Sequence, residues 1–401
     1  MQKKLIALAV AGLASTAAFA QTNVQIYGLV DYGYSYRWDG KTNAANSGTP
    51  NSQSQLNGGQ QSGNRLGFKG TEDLGNGLKA VFLLEQGFML DTGMQQTSGS
   101  QFTRQAYMGL SGNFGTAVGG RLYTPHYTFV SGLDPFGAGT VGRYNNVYSS
   151  GFGLPLSSTN NATVNGLLDP VRVDNAVAYI SPTFLGGLTG TLAFSNNAGG
   201  QEDATSTAAN NTVYAGLLQY NNGPINVGVN YHYINAGSTL SNPAFAGLAT
   251  TTTPSVNLAV KNVQNVTLGG SYDFKVVKVM ALYSYNDLDY VNANTKNATL
   301  NNYMIGATAP FGKFTGKASY IYSDGSSSVG GDAQQFAIGV DYNLSKRTNL
   351  YSAYSFINND GTRLTAVGDA SNSGAYAGDG TRGTAAGVYQ QGLQIGVRHS
   401  F

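Results

Sequence analysis

About sixteen segments of roughly ten residues, each alternating apolar with polar or small side chains, follow one another along this chain, parted by spacers that are long and short in turn. Successive side chains point to opposite faces of a strand, so every such segment carries one greasy face and one wet face. Near the start, Val24, Ile26, Val30, Tyr32 and Tyr34 share one parity, and Gln25, Asp31, Ser35 and Arg37 share the other. In the middle, Ile225, Val227, Val229, Tyr231 and Tyr233 stand against Asn226, Gly228, Asn230 and His232. At the end, Leu393, Ile395, Val397, His399 and Phe401 alternate with Gly392, Gln394, Gly396, Arg398 and Ser400. A soluble sandwich gives the same pattern in any single strand by turning its apolar face inward. An even tally of strands, however, places both ends on the short-turn side, where the last strand can pair with the first and remove both sheet edges.

The spacers support that count. Leu74-Gly75-Asn76-Gly77, Gly112-Asn113-Phe114-Gly115 and Asn221-Asn222-Gly223-Pro224 are tight, and Asn-Gly between two strand-like runs is a hairpin signal. On the other side lie long polar spacers, among them residues 38–63, 124–170 and 358–387, of which 124–170 is the longest. They are rich in residues that favour turns and cannot build a core of their own.

Composition removes most alternatives. Only 10% of the 401 residues are charged, and no run after residue 20 reaches the roughly 20 apolar residues a membrane helix needs. There is no Cys, hence no disulfide, thiolate metal site or cysteine nucleophile. Lys3 and Lys4 precede an apolar run from Leu5 to Leu13 and an Ala18-Phe19-Ala20 cleavage site, which predicts a signal peptide over 1–20 and export of residues 21–401 as a single domain. Without Lys3 and Lys4, the 22 Lys and Arg fall to 20 against 20 Asp and Glu, so bulk charge offers nothing to nucleic acid. No catalytic set is visible: His126, His232 and His399 are scattered, and no G-x-x-x-x-G-K-[ST] phosphate loop occurs. We expect neither an enzyme nor a cofactor.

A closed sheet of sixteen strands leaves a lumen too wide for side chains to fill, so its inward face must tolerate water while its apolar face meets lipid. Tyr tends to sit near strand ends on the apolar parity, as at Tyr34, Tyr36, Tyr320 and Tyr322, where an amphipathic ring suits the headgroup level. The stretch from Leu78 to Leu84 is apolar on both parities, so a loop or a neighbouring subunit is expected to cover that wall.

Several motifs then carry a resemblance. Ile26-Tyr27-Gly28 with Asp31, the block Arg65-Leu66-Gly67-Phe68-Lys69-Gly70-Thr71-Glu72-Asp73-Leu74, Glu85-Gln86-Gly87-Phe88, Arg104-Gln105-Ala106-Tyr107, Gly120-Arg121-Leu122-Tyr123-Thr124-Pro125 and the terminal Phe401 span the exported chain. Together they make it similar to the general diffusion porins of Gram-negative outer membranes, in their β-proteobacterial branch. The resemblance implies an all-β, 16-stranded antiparallel transmembrane β-barrel with short periplasmic turns and long extracellular loops. It also implies a homotrimer among outer-membrane lipids, a third loop (124–170) folded into the lumen as a constriction, and delivery by the outer-membrane assembly machinery through the strand that ends at Phe401. Asp134-Pro135-Phe136-Gly137 resembles the acidic Pro/Phe/Gly segment of the family's constriction loop, which makes Asp134 the acidic side of the narrowest point.

Inward parity supplies the basic side: Arg65 and Lys69 on the second strand, Arg121 on the fifth, Lys317 on the thirteenth and Arg398 on the sixteenth. Arg104 shares its parity with Phe102, Met108 and Leu110, so the pattern leaves its direction open, and only the resemblance turns it inward. Basic rings in a pore favour anions. The expected function is a water-filled channel for small hydrophilic solutes with a mild anion preference. A substrate-specific channel for small anionic or sugar-like solutes is the alternative, hinted at by Tyr27 on the inward parity.

Overall fold

The computed structural model describes residues 23–39, 52–97, 99–148, 168–198, 211–235, 260–290, 297–326, 329–361, 363, 365–370 and 387–401. The expected signal peptide and residues 149–167 of the longest spacer lie outside them. Among the described residues seventeen strands join in one sheet, and the pairings between neighbours are antiparallel. In chain order they are β1 (Asn23–Asp39), β2 (Ser52–Gly58), β3 (Arg65–Gly75), β4 (Leu78–Gly87), β5 (Gln105–Gly112) and β6 (Gly115–Tyr123). Next come β7 (Arg172–Ile180), β8 (Leu188–Ser195), β9 (Thr212–Asn222), β10 (Ile225–Asn235), β11 (Val260–Asp273) and β12 (Lys278–Tyr290). The last five are β13 (Ala298–Phe311), β14 (Phe314–Gly325), β15 (Ala333–Asn343), β16 (Thr348–Asn359) and β17 (Gln390–Ser400).

The sheet closes on itself, because β1 pairs with β17 from Leu29 opposite Ser400 to Asp39 opposite Gln390. Along its other edge β1 has two partners in succession. Asn23 to Leu29 pair with β3, and Tyr32 to Trp38 pair with β2. Those two strands are therefore pieces of one stave, interrupted by residues 59–64, and the barrel has the sixteen staves that the alternation predicts. The reading of 38–63 as spacer is corrected by β2. Ser52 to Gln55 and Asn57 are polar on both faces, so no hydrophobic period betrays the strand. It is held by its ladder and by Ser54 Oγ, which donates to Tyr34 Oη at 3.0 Å.

Apolar faces look outward. Leu393, Ile395 and Val397 are 48%, 59% and 41% exposed, too open for a dry core. Cross-strand aromatic rows mark two levels of this surface: Tyr283, Tyr303 and Tyr322 in one, and Phe311, Phe314 and Tyr342 in the other. The inward face is less uniformly wet than expected. At the long-spacer ends of their strands Val213, Ile234, Val263, Leu288 and Leu300 are buried inside the barrel with Leu168, Ala198 and Val329 from the loops. Loops folded over that half of the mouth replace the water that a bare lumen would hold.

Phe401 fastens the seam beyond the last ladder pair. Its backbone N–H and C=O both bond Gly28 at 3.1 Å, and its ring lies where a side chain of Gly28 would be, with Cε2 2.7 Å from the position of a Cβ. A Gly28→Val change should therefore force the ring off the seam and destabilise closure by about 1–3 kcal/mol, the usual cost of overpacking. Heat-modifiable gel migration of refolded protein should show a smaller closed fraction than the parent.

Candidate pore constriction

The third long loop, which leaves β6 at Tyr123, turns straight into the lumen. Thr124 caps the helix α1 (Pro125–Leu133), its Oγ1 accepting from Tyr127 N at 3.0 Å, and Pro125 fills the first turn where no N–H is needed. One face of α1, with Phe129, Val130 and Leu133, is buried against the inner side of β8 to β12, and Thr128 and Gly132 remain exposed. A short helix α2 (Asn145–Tyr148) continues along β14 and β15. Wall side chains reach up to hold the loop. Tyr148 Oη donates to Ser284 Oγ at 2.6 Å, Asn302 Nδ2 donates to Tyr148 O at 3.0 Å, and Gln335 Nε2 donates to the carbonyls of Gly142 and Arg143 at 2.9 and 3.1 Å.

Asp134 is a correction to the sequence reading. Its side chain is buried, and its carboxylate accepts from the backbone N–H groups of Phe136, Ala138 and Tyr144 at 3.0, 2.9 and 3.1 Å. Burial pushes its carboxyl up to about 6, against the pull of those three donors. The loop's other acid is Asp169. It too is buried, accepting from Tyr144 Oη at 2.9 Å, bonded by Asn145 Nδ2, and 3.3 Å from His126 Nε2. His126 Nδ1 meets Asn230 Oδ1 at 3.2 Å, and the His232 ring stands edge-on to His126 with centroids 4.8 Å apart. Two histidines scattered in sequence thus meet behind the loop, in a seam that joins its base, its tip and β10.

On the opposite wall the basic residues gather. Arg104 Nε donates to Glu85 Oε1 at 2.8 Å, Tyr27 Oη donates to Glu85 Oε2 at 2.9 Å, and Arg65 Nη1 lies 3.9 Å from that same oxygen. Arg104 Nη2 and Arg172 Nη2 both donate to Tyr123 Oη, at 2.7 and 2.9 Å, and the Arg172 guanidinium sits 4.7 Å over the Tyr123 ring. Lys69 Nζ lies 5.3 Å over the ring of Tyr27. Through these contacts Arg104 meets the inward Glu85, and Arg172, which the sequence reading missed, joins it at Tyr123.

The remaining basic residues stand apart. Arg121 is opposite Ala106 and shares a face with exposed Ala117, which is the outer face of β6; it pairs there with Asp174. Its inward assignment is corrected, because the inward parity of β6 is that of Val118 and Leu122, which belong to the internal apolar cluster. Lys317 faces inward but is tied to Asp341 at 2.6 Å, whose other oxygen accepts from Gln61 Nε2 at 2.9 Å. Arg398 is inward and opposite Asp31.

Two further segments enter the lumen. Residues 59–64 dip in between β2 and β3, and the Gln60 carbonyl accepts from Thr140 N at 2.8 Å and Ala370 N at 3.1 Å. Residues 365–370, from the last loop, brace the third: Asp369 pairs with Arg37, and its carbonyl accepts from Arg143 Nη1 at 2.6 Å.

This geometry has counterparts among known proteins. A family model described as Gram-negative porin matches residues 7–362. Outer membrane porin protein 32 of Delftia acidovorans is 33% identical over 409 residues, covering 100% of this chain and 100% of its own. The solved anion-selective porin from Comamonas acidovorans superposes with a TM-score of 0.72 at 29% identity, over 95% of this chain and 100% of that one. A trimer form of OmpT from Vibrio cholerae shares the fold at a TM-score of 0.57 and 13% identity, over 95% of this chain and 99% of that one.

Asp134→Ala should loosen the loop without opening the barrel, since each of the three stranded N–H groups costs about 1–3 kcal/mol. Chymotrypsin should then cut folded protein beside Phe136 and Tyr144, which are buried in the parent, and mass mapping of the fragments reads the outcome.

Proposed function

Since this chain belongs to the Gram-negative porin family, we propose that its outer-membrane channel, which serves passive diffusion, favours small anions among the hydrophilic solutes it passes. One observation carries the preference. Both acids of the third loop are buried in holding that loop together, whereas on the facing wall Arg65 and Arg104 share the carboxylate of Glu85, with Arg172 beside them on Tyr123 and Lys69 over the ring of Tyr27. Positive potential at the narrowest point, unopposed by a loop carboxylate, raises the local concentration of anions and repels cations. The anion selectivity of the Comamonas acidovorans relative supports this reading. Arg65, whose side chain is 23% exposed, and Lys69 act as the solute-facing members, with Arg104 and Arg172 behind them as fixed charge.

A substrate-specific channel is favoured by a second observation. Tyr27, Tyr107, Tyr123 and Tyr127 are all half-buried around the same arginines, so the wall offers aromatic edges beside guanidinium groups. Saturable flux of a carboxylate solute in liposomes would choose that reading, and flux graded only by size would choose general diffusion. The channel works as a homotrimer in outer-membrane lipids and is delivered by the assembly machinery through β17; a trimer is the form of the OmpT relative. Three equal closures in single-channel records would bear this out.

Reversal potentials across a planar bilayer in a salt gradient test the charge filter. The parent should prefer anions; Glu85→Gln should strengthen that preference, and Arg65→Ser together with Lys69→Ser should weaken it. Cation preference in the parent would reject the proposal.

A further inference from the structure

The wall behind the third loop is notched where the loop touches it. Gly228 on β10, Gly269 on β11, Gly306 on β13 and Gly339 on β15 stand opposite Phe129, Leu133, Pro135 and Phe136 in that order, so successive glycines along the wall meet successive side chains along the loop. A Cβ at Gly228 would lie 2.8 Å from Phe129 Cε2, one at Gly269 2.6 Å from Leu133 Cδ1, and one at Gly339 2.8 Å from Phe136 Cε1. At Gly306 it would meet the ring of Pro135, with Cδ at 2.8 Å. Real Cβ atoms do not approach other atoms so closely, so a side chain at any of these positions must push something aside.

What gives way differs between sites. Leu133 and Phe129 end in rotatable groups, although both are buried. Pro135 has no such freedom, because its ring is part of the backbone. Phe136 is clamped as well: a Cβ on Gly142 of the loop would meet its ring at 2.9 Å, so glycines press it from both sides. The Asp134 carboxylate binds the backbone of 136, 138 and 144 into one piece, so a push on Pro135 moves the tip of the loop as a unit. The wall itself is a hydrogen-bonded ladder on both edges of β13 and cannot yield in its place.

We infer that these wall glycines are specificity-determining residues of the channel: the absent side chains set how deep the third loop sits against the wall, and thereby how wide the passage on its other side remains. A methyl group at Gly306 shifts the loop toward the arginine wall and narrows the passage. Trimming the loop side chain that it meets makes room for the methyl and restores the width.

The experiment uses the full-length protein in planar bilayers and in liposome swelling with a graded series of neutral sugars. Gly306→Ala should lower single-channel conductance and slow the largest admitted sugars more than the smallest, and adding Pro135→Ala should return both towards the parent. Gly316→Ala is the control, since a Cβ there meets no atom closer than 3.5 Å, and it should leave conductance unchanged. Gly269→Ala with and without Leu133→Ala repeats the test at an independent site should the first variant fail to fold, as judged by heat-modifiable migration. Parental conductance in a folded Gly306→Ala or Gly269→Ala barrel, or a loss that the paired loop substitution does not restore, would overturn the inference.

Discussion

The backbone of a chain in hydrocarbon has no water to bond, and every N–H and C=O must be met by protein. Closure of β1 on β17 answers that demand for the sheet edges, and the divided partnership of β1 shows how far the demand reaches. Where β2 ends and β3 has not begun, the Asp31 carbonyl accepts from Gly59 N and the Asp31 N–H donates to Asn64 Oδ1, both at 2.7 Å. The chain that leaves the wall thus still seals it. The same excursion offers the Gln60 carbonyl to the third loop and to the last, and its Gln61 and Ser62 N–H groups bind the Asp31 carboxylate at 2.8 and 2.6 Å. Barrel closure and the furnishing of the lumen are consequently one hydrogen-bonded system rather than two.

The acids behave differently from what their place in the loop suggests. A carboxylate removed from water must be compensated by donors, and three backbone N–H groups around Asp134 do this at close range. Such a group shapes the loop and contributes little field to the passage, where the basic residues of the other wall dominate. Lys317 and Arg121, each beside a carboxylate, are neutralised in the same sense and add little to that field.

Most of the wall was legible because a period of two is hard to imitate over so many segments, and because Asn-Gly and related turns mark the short ends. Strand β2 was not, since a strand polar on both faces carries no such period. The face that Arg121 takes is hidden in the sequence because β6 is short, with Ala117 and Gly119 too small to announce the lipid side. The contact between His126 and His232 and the brace from 365–370 depend on where loops fold, and the Arg172–Tyr123 pair on how β6 and β7 register across the longest spacer, none of which local pattern encodes. Asp134 illustrates the limit most sharply, because an acid beside Pro, Phe and Gly reads alike whether it faces water or caps its own turn.

The arginines and the glycine notches lie on opposite sides of the lumen and share no side chain. Natural variation can therefore act on sieving and on charge discrimination as separate traits, one methyl group altering the first and one guanidinium the second. A lineage meeting bulkier nutrients, or a more saline habitat, has a short mutational route to either without rebuilding the barrel.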